Sequence, residues 1–180
     1  MVDLTAYAGS QARLGFYHNV GSADQNPGWY IDDVEMVVME PGFEGDFEEG
    51  WNGWHADRGV WQIGTPSVGP GGAYNGTGCV GTVLDGNYPK TKSRLISPST
   101  ELPALREGEE LHLRFWQWFS YRMPSYDEGV VQISVQDEST GEWSQWEDVS
   151  DSIENNSSVW SLMMVDLTAY AGSQARLGFY

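Results

Sequence analysis

Strict alternation of apolar and polar side chains runs through "LHLRFWQWFSY". Leu111, Leu113, Phe115, Phe119 and Tyr121 fall on one side of an extended chain, and His112, Arg114, Trp116 and Trp118 fall on the other. "VVQISVQD" repeats the pattern with Val131, Ile133 and Val135 facing inward. A turn over Ser139-Thr140-Gly141-Glu142 then leads to Trp143 and Trp146, and "VWSLMMVDL", "ARLGFYHNV" and "WYIDDVEMVVM" read as further strands. Residues 64–86, rich in Gly, Pro, Asn and Thr, predict irregular loop with one short strand around Val80–Leu84. Helical periodicity is nearly absent. Short strands joined by long loops predict an all-β protein, a two-sheet antiparallel β-sandwich of jelly-roll size.

The pattern is also written twice. "MVDLTAYAGSQARLGFY" opens the chain at Met1–Tyr17 and recurs without a change at Met164–Tyr180, an offset of 163 residues. That spacing is too long for a solenoid unit and normal for one globular domain. The chain therefore reads as one period of a tandem array plus a short overlap, cut away from the domain boundary. Pro41-Gly42 breaks the run between "YIDDVEMVVM" and "FEGDFEEGWNGW". Residues 1–40 are then the closing strands of one repeat, residues 41–180 are the beginning and middle of the next, and the sandwich is circularly out of register.

Composition supports a packed core, with 40% hydrophobic and 13% aromatic residues, while 22 Gly and 8 Pro fit a turn-rich fold. Nine Lys and Arg against 26 Asp and Glu give a net charge of −17. A surface this acidic repels nucleic acid and anionic membranes and attracts cations. It also serves solubility. The single Cys79 excludes an internal disulfide framework. No stretch has the form of a signal peptide or a membrane-spanning helix, which in an excerpted chain says little about the parent. Three N-glycosylation sequons, at Asn75, Asn155 and Asn156, matter only in a eukaryotic secretory pathway.

"DFEEGWNGW", "GVWQIGTP", "GTVLDGNYP", "SRLISPSTEL", "LRFWQWFSY" and "GWYIDDVEM", taken in circular order, resemble the extracellular jelly-roll modules called choice-of-anchor J and cleaved-adhesin domains. The "FE…GW" opening and "IDD" ending are distantly similar to MAM domains. The resemblance implies large secreted or surface proteins of bacteria, adhesion, and structural calcium.

Calcium takes several oxygen ligands from carboxylates and carbonyls. First and last strands are neighbours in a jelly roll, which would bring Asp46 and Glu48 of "GDFEEG" to Asp32 and Asp33 of "YIDDV". Asp32 shares the parity of Tyr30, Val34 and Met36, an apolar face on which a lone carboxylate is unfavourable without a cation. Solvation, or pairing with Arg13, Arg58 or Arg176, would satisfy the same acids. Asp85 in "LDGNYP" and Asp127 in "YDEGV" are further candidates, and both also fit ordinary turns. The ion would fasten strands together.

Nine Trp raise the question of sugar stacking. Trp116 and Trp118 lie opposite the Leu/Phe stripe, and Trp51 and Trp54 sit in an expected loop, so these four are the glycan candidates; burial under folded-over loops is the competing role. Catalysis has little support. His18, His55 and His112 have no metalloprotease spacing, there is no Gly-x-Ser-x-Gly elbow, and Cys79 has no evident activating partner.

The expected function is thus a non-catalytic structural or adhesive repeat, extracellular or on the cell surface, metal-stabilised, with copies of itself as partners in an array or filament. Strand donation between neighbours is one way to join such copies, and a hairpin within one permuted domain is the other. A carbohydrate-binding module is the alternative. Natural excerpting and deliberate permutation both produce the terminal duplication.

Overall fold

The computed structural model describes residues 11, 13–15, 30, 45–57, 59–122 and 127–180. The chain divides into two compact units, Met1–Met39 and Glu40–Tyr180. Among the described residues of the second lie ten strands: β1 His55–Asp57, β2 Gln62–Gly64, β3 Cys79–Gly81, β4 Arg94–Ile96, β5 Thr100–Glu101, β6 His112–Gln117, β7 Val131–Val135, β8 Glu147–Asp148, β9 Ser161–Asp166 and β10 Gln174–Phe179.

They form an antiparallel β-sandwich, as the alternation predicts. One layer is a six-stranded sheet ordered β1-β4-β10-β7-β8, with β5 also paired to β10. The other is the β6–β9 ladder, in register from His112↔Asp166 to Gln117↔Ser161, while β2 and β3 pair separately. The expected strand around Val80–Leu84 is the shorter β3. β6 stops at Gln117, so Phe119 and Tyr121 lie beyond it, joined to the facing segment by the Ser120↔Asn156 bridge.

The core lies between the layers. Val131 and Ile133 of β7 and Ala175 and Leu177 of β10 meet Val165 and Leu167, with Leu111, Leu113, Phe115 and Met163 packed around them. These are the inward positions of strands whose neighbours point away. Burying each Leu, Ile or Val there contributes about 1.5–3 kcal/mol relative to exposure.

β10 has strands on both sides, and it belongs to the second copy of the duplicated segment. It pairs with β7 over five positions, Ala175↔Val135 to Phe179↔Val131. Its other side is shared by β4 and β5. Pro98, which has no N–H to give, separates those two strands. The buried Ser97 covers the gap: its N–H donates to Leu177 O at 2.9 Å and its Oγ accepts from Leu177 N at 2.9 Å.

One core position of the second copy and its counterpart in the first differ in exposure. Leu177 is 1% exposed, whereas Leu14, the same position of the first copy, is 50% exposed. Arg13 and Gly15 are exposed as well.

The outward face of the large sheet is also covered. Gln132 and Ser134 alternate with the core residues of β7 and are themselves buried. The segment between β7 and β8 folds back over them, pinned at its turn by Asp137, whose Oδ1 accepts from Ser139 N and Thr140 N, each at 2.9 Å. This brings Trp143 and Trp146 onto two arginines. Arg176 lies 4.5 Å from the Trp143 ring and 4.9 Å from that of Trp146, and Arg94 lies 4.6 Å from Trp146 and 4.8 Å from Tyr180. Guanidinium planes and aromatic rings thus alternate across the sheet.

Candidate functional site

Of the acids nominated from sequence, Asp46 and Glu48 are brought together on a turn that packs under the first strands. Phe47, between them, has a φ of 59°, and its ring meets the Trp54 ring edge-on at 5.3 Å. Asp46 Oδ1 accepts from Glu48 N at 3.3 Å.

The Glu48 carboxylate reaches the loop before β3. Oε1 accepts from Gly78 N at 2.7 Å and Thr77 N at 2.9 Å, and Oε2 accepts from Thr77 Oγ1 at 2.9 Å. Gly76, with φ +66°, allows the loop to curl around it, since a Cβ there would run into the carboxylate. These donors, Gly78 N–H foremost, hold the Glu48 carboxyl below its ordinary 4.5. Burial, helped by the Glu48 charge, pushes the Cys79 thiol up.

Asp32 and Asp33 lie outside the described residues. Among the described residues there is no group of three or more His, Cys, Asp or Glu side chains placed to hold a metal ion. Asp85 is exposed in its turn. Asp127 accepts a 2.9 Å hydrogen bond from Tyr88 Oη, which in turn accepts from Arg122 N. Next to them burial pushes Tyr121 up to about 12.

Of the arginines set out as counter-charges, Arg176 takes other partners. Arg176 stacks between Trp143 and Trp146, with its Nε buried and without a hydrogen-bond partner. Desolvation, then the nearby Arg94 charge, lowers its pKa from the ordinary value. It is Arg94 that binds an acid: its Nη1 lies 2.9 Å from Asp57 Oδ2, and its backbone N–H donates to Asp57 Oδ1 at 2.6 Å. Arg58 lies outside the described residues.

The four nominated tryptophans separate by environment. Trp54 is 6% exposed, wedged between Phe47 and Phe179, because the glycine-rich turn folds inward. Trp118 is half-buried against Gly69, where a Cβ would come 3.0 Å from its ring. Trp51 is 38% exposed and Trp116 41%. Tyr74, which the sequence reading passed over, lies flat on Trp116 with centroids 3.8 Å apart and planes within 13°. Trp160 meets Tyr74 edge-on at 6.3 Å and fixes the same loop through Nε1, donating to Gly72 O at 3.3 Å. Tyr74 itself is 49% exposed. The result is an aromatic surface held by a loop anchored at Trp118, Trp160 and Glu48.

No helix among the described residues is long and apolar enough to cross a membrane. No family model matches the chain, and no solved structure gives a significant match. Among curated proteins, Bacillopeptidase F of Bacillus subtilis (strain 168) is 30% identical over 154 residues, which is 82% of this chain and 10% of that protein. The chain is thus similar to a segment spanning about a tenth of the length of the curated relative it matches.

Proposed function

We propose that the chain is one period of a tandem array of non-catalytic β-sandwich modules. The array would belong to a large extracellular bacterial surface or filament protein, stabilised by calcium and joined to its neighbours through donated strands. One observation carries this reading: the seventeen-residue segment occurs twice without a change, and its second copy alone supplies β10, with Leu177 at 1% exposure against 50% for Leu14. A single sandwich uses one copy, so the other is surplus to it and suits a neighbour. The similarity to a tenth of Bacillopeptidase F fits a module within a longer polypeptide. The Cys79 thiol, pushed up by burial, fits a structural role. Calcium would be held at Asp46 and Glu48 together with Asp32 and Asp33. The test is the coding sequence on either side of this segment. A further copy at the 163-residue spacing is expected, and a parent with one copy overturns the reading.

A second reading, a carbohydrate-binding module, draws on the Tyr74–Trp116 pair. Its rings are aligned, exposed and anchored, as a stacking surface for pyranose faces requires. Titration with neutral oligosaccharides, followed by tryptophan fluorescence, tests it. An unchanged spectrum at millimolar sugar removes it.

A further inference from the structure

We infer that the slot filled by β10 accepts either copy of the duplicated segment, so that the first copy of one molecule can replace the second copy of another. The partner is a second copy of this chain. The inference deepens the tandem-module reading and rests on it for its biological setting.

The slot is defined on both sides. β7 offers its ladder from Val131 to Val135, and β4, Ser97 and β5 offer theirs opposite. Inside, Leu177 and Ala175 enter the core; outside, Arg176 enters between Trp143 and Trp146, and Gly178 leaves room for Arg94. Every side chain that meets these walls has its duplicate 163 positions earlier: Ala12, Arg13, Leu14, Gly15 and Phe16. Once seated, the first copy makes the same ladder bonds, core contacts and stacking. Seating therefore turns on connectivity alone, which is the condition under which exchange of an identical element between molecules costs little.

Connectivity also sets the population. β10 of the second copy is tied to β9, whose last three residues open that same copy, by a short connection through the turn Thr168–Tyr170, which holds it at an effective concentration on the order of millimolar. At micromolar protein the intermolecular competitor is outnumbered by about a thousandfold. Exchange becomes dominant when the second copy is disabled, or when neighbours are themselves tethered.

The experiment uses three full-length variants: Leu14→Asp, Leu177→Asp and the double variant. Each is followed by circular dichroism, urea unfolding and light scattering from about 1 μM to 1 mM. Leu14→Asp is expected to match the wild type. Leu177→Asp is expected to keep a cooperative unfolding transition because Leu14 takes the core position. It is expected to become dimeric or polymeric with rising concentration as the first copy of one molecule seats in another, whereas a folded monomer throughout the range, its first copy seated in its own chain, overturns exchange between molecules. The double variant is expected to lack the transition. An unfolded Leu177→Asp across the whole concentration range overturns the inference, and so does a folded double variant. Neither result touches the repeat reading, which is decided by the copy number in the full-length protein.

Discussion

Gly178 lies directly beneath Arg94: a Cβ at Gly178 would come 2.6 Å from Arg94 Cδ and 2.9 Å from the Trp146 ring. The strand floor is kept bare so that a guanidinium and an indole can lie on it. Gly178→Ala should therefore destabilise the sandwich by about 1–3 kcal/mol, the range for overfilling a packed site. Gly15→Ala, whose Cβ would meet nothing within 4 Å, should stay within about 0.5 kcal/mol of wild type. Urea midpoints of the two variants check the contrast. Equal shifts would refute it.

Trp146 is shared by both arginines, so its removal should do more than the loss of one contact. Trp146→Ala is expected to cost roughly 2–3 kcal/mol, because a half-buried ring and two cation–π contacts go together. Arg176→Lys keeps the charge but not the flat face, and should cost about 1 kcal/mol. A double-mutant cycle on Arg176 and Trp146 should show coupling. Strict additivity would mean that the stack contributes nothing beyond its buried area.

Acid should loosen the molecule at its turns. Glu48 is held below 4.5 chiefly by the Gly78 N–H, Asp137 is held down to about 2 chiefly by the Ser139 hydroxyl, and Asp166 is lowered chiefly by the Thr168 hydroxyl. A carboxylate that is more acidic folded than unfolded stabilises fully above its unfolded pKa and loses that contribution as pH falls through its folded value. The melting temperature should thus be level above the unfolded carboxylate range and fall from there toward pH 2. Glu48→Gln cannot titrate and should flatten the upper part of that fall. An identical pH profile for the variant would show that the Gly76–Gly78 loop does not depend on the charge.

Calcium, if it binds as proposed, must share the Glu48 oxygens with Thr77 and Gly78. Saturating the protein at a hundred times the dissociation constant should add about 2.7 kcal/mol and raise the melting temperature by several degrees, reversibly with a chelator. Asp46→Ala should reduce the gain. No change in melting temperature at millimolar calcium would remove the ion from the account.

Tyr74→Ala tests the aromatic surface. Uncovering Trp116 should red-shift tryptophan emission with little loss of stability, since Tyr74 is half-exposed and stacked at the rim. A large destabilisation would instead show that the 69–78 loop is fastened through Tyr74.

Strand-scale alternation was readable because period two is a local property. It located β6, β7, β9 and β10 and chose the inward side chains of the first two, Leu113, Val131 and Ile133 among them. What covers the opposite face was not readable, because Arg94, Gln132, Trp146 and Arg176 come from separate segments that meet only after pairing. For Trp54 the sequence left stacking and burial both open, for a related reason. Its glycine-rich neighbours signal a turn, and a turn can point its ring inward between Phe47 and Phe179. Glu48 was picked out as an acid, yet its donors lie 29 and 30 residues away on a loop whose Gly-Thr-Gly composition marks only irregularity.

β10 lies inside its sheet, with β4 and β5 on one side and β7 on the other, and Tyr180 just after it exchanges hydrogen bonds of 2.8 and 2.9 Å with Val130. A pull applied there along the strand would load the bonds to β4 and to β7 at the same moment, in shear. An edge strand would instead peel away one bond at a time. A strand held on both sides gives way only when both ladders do.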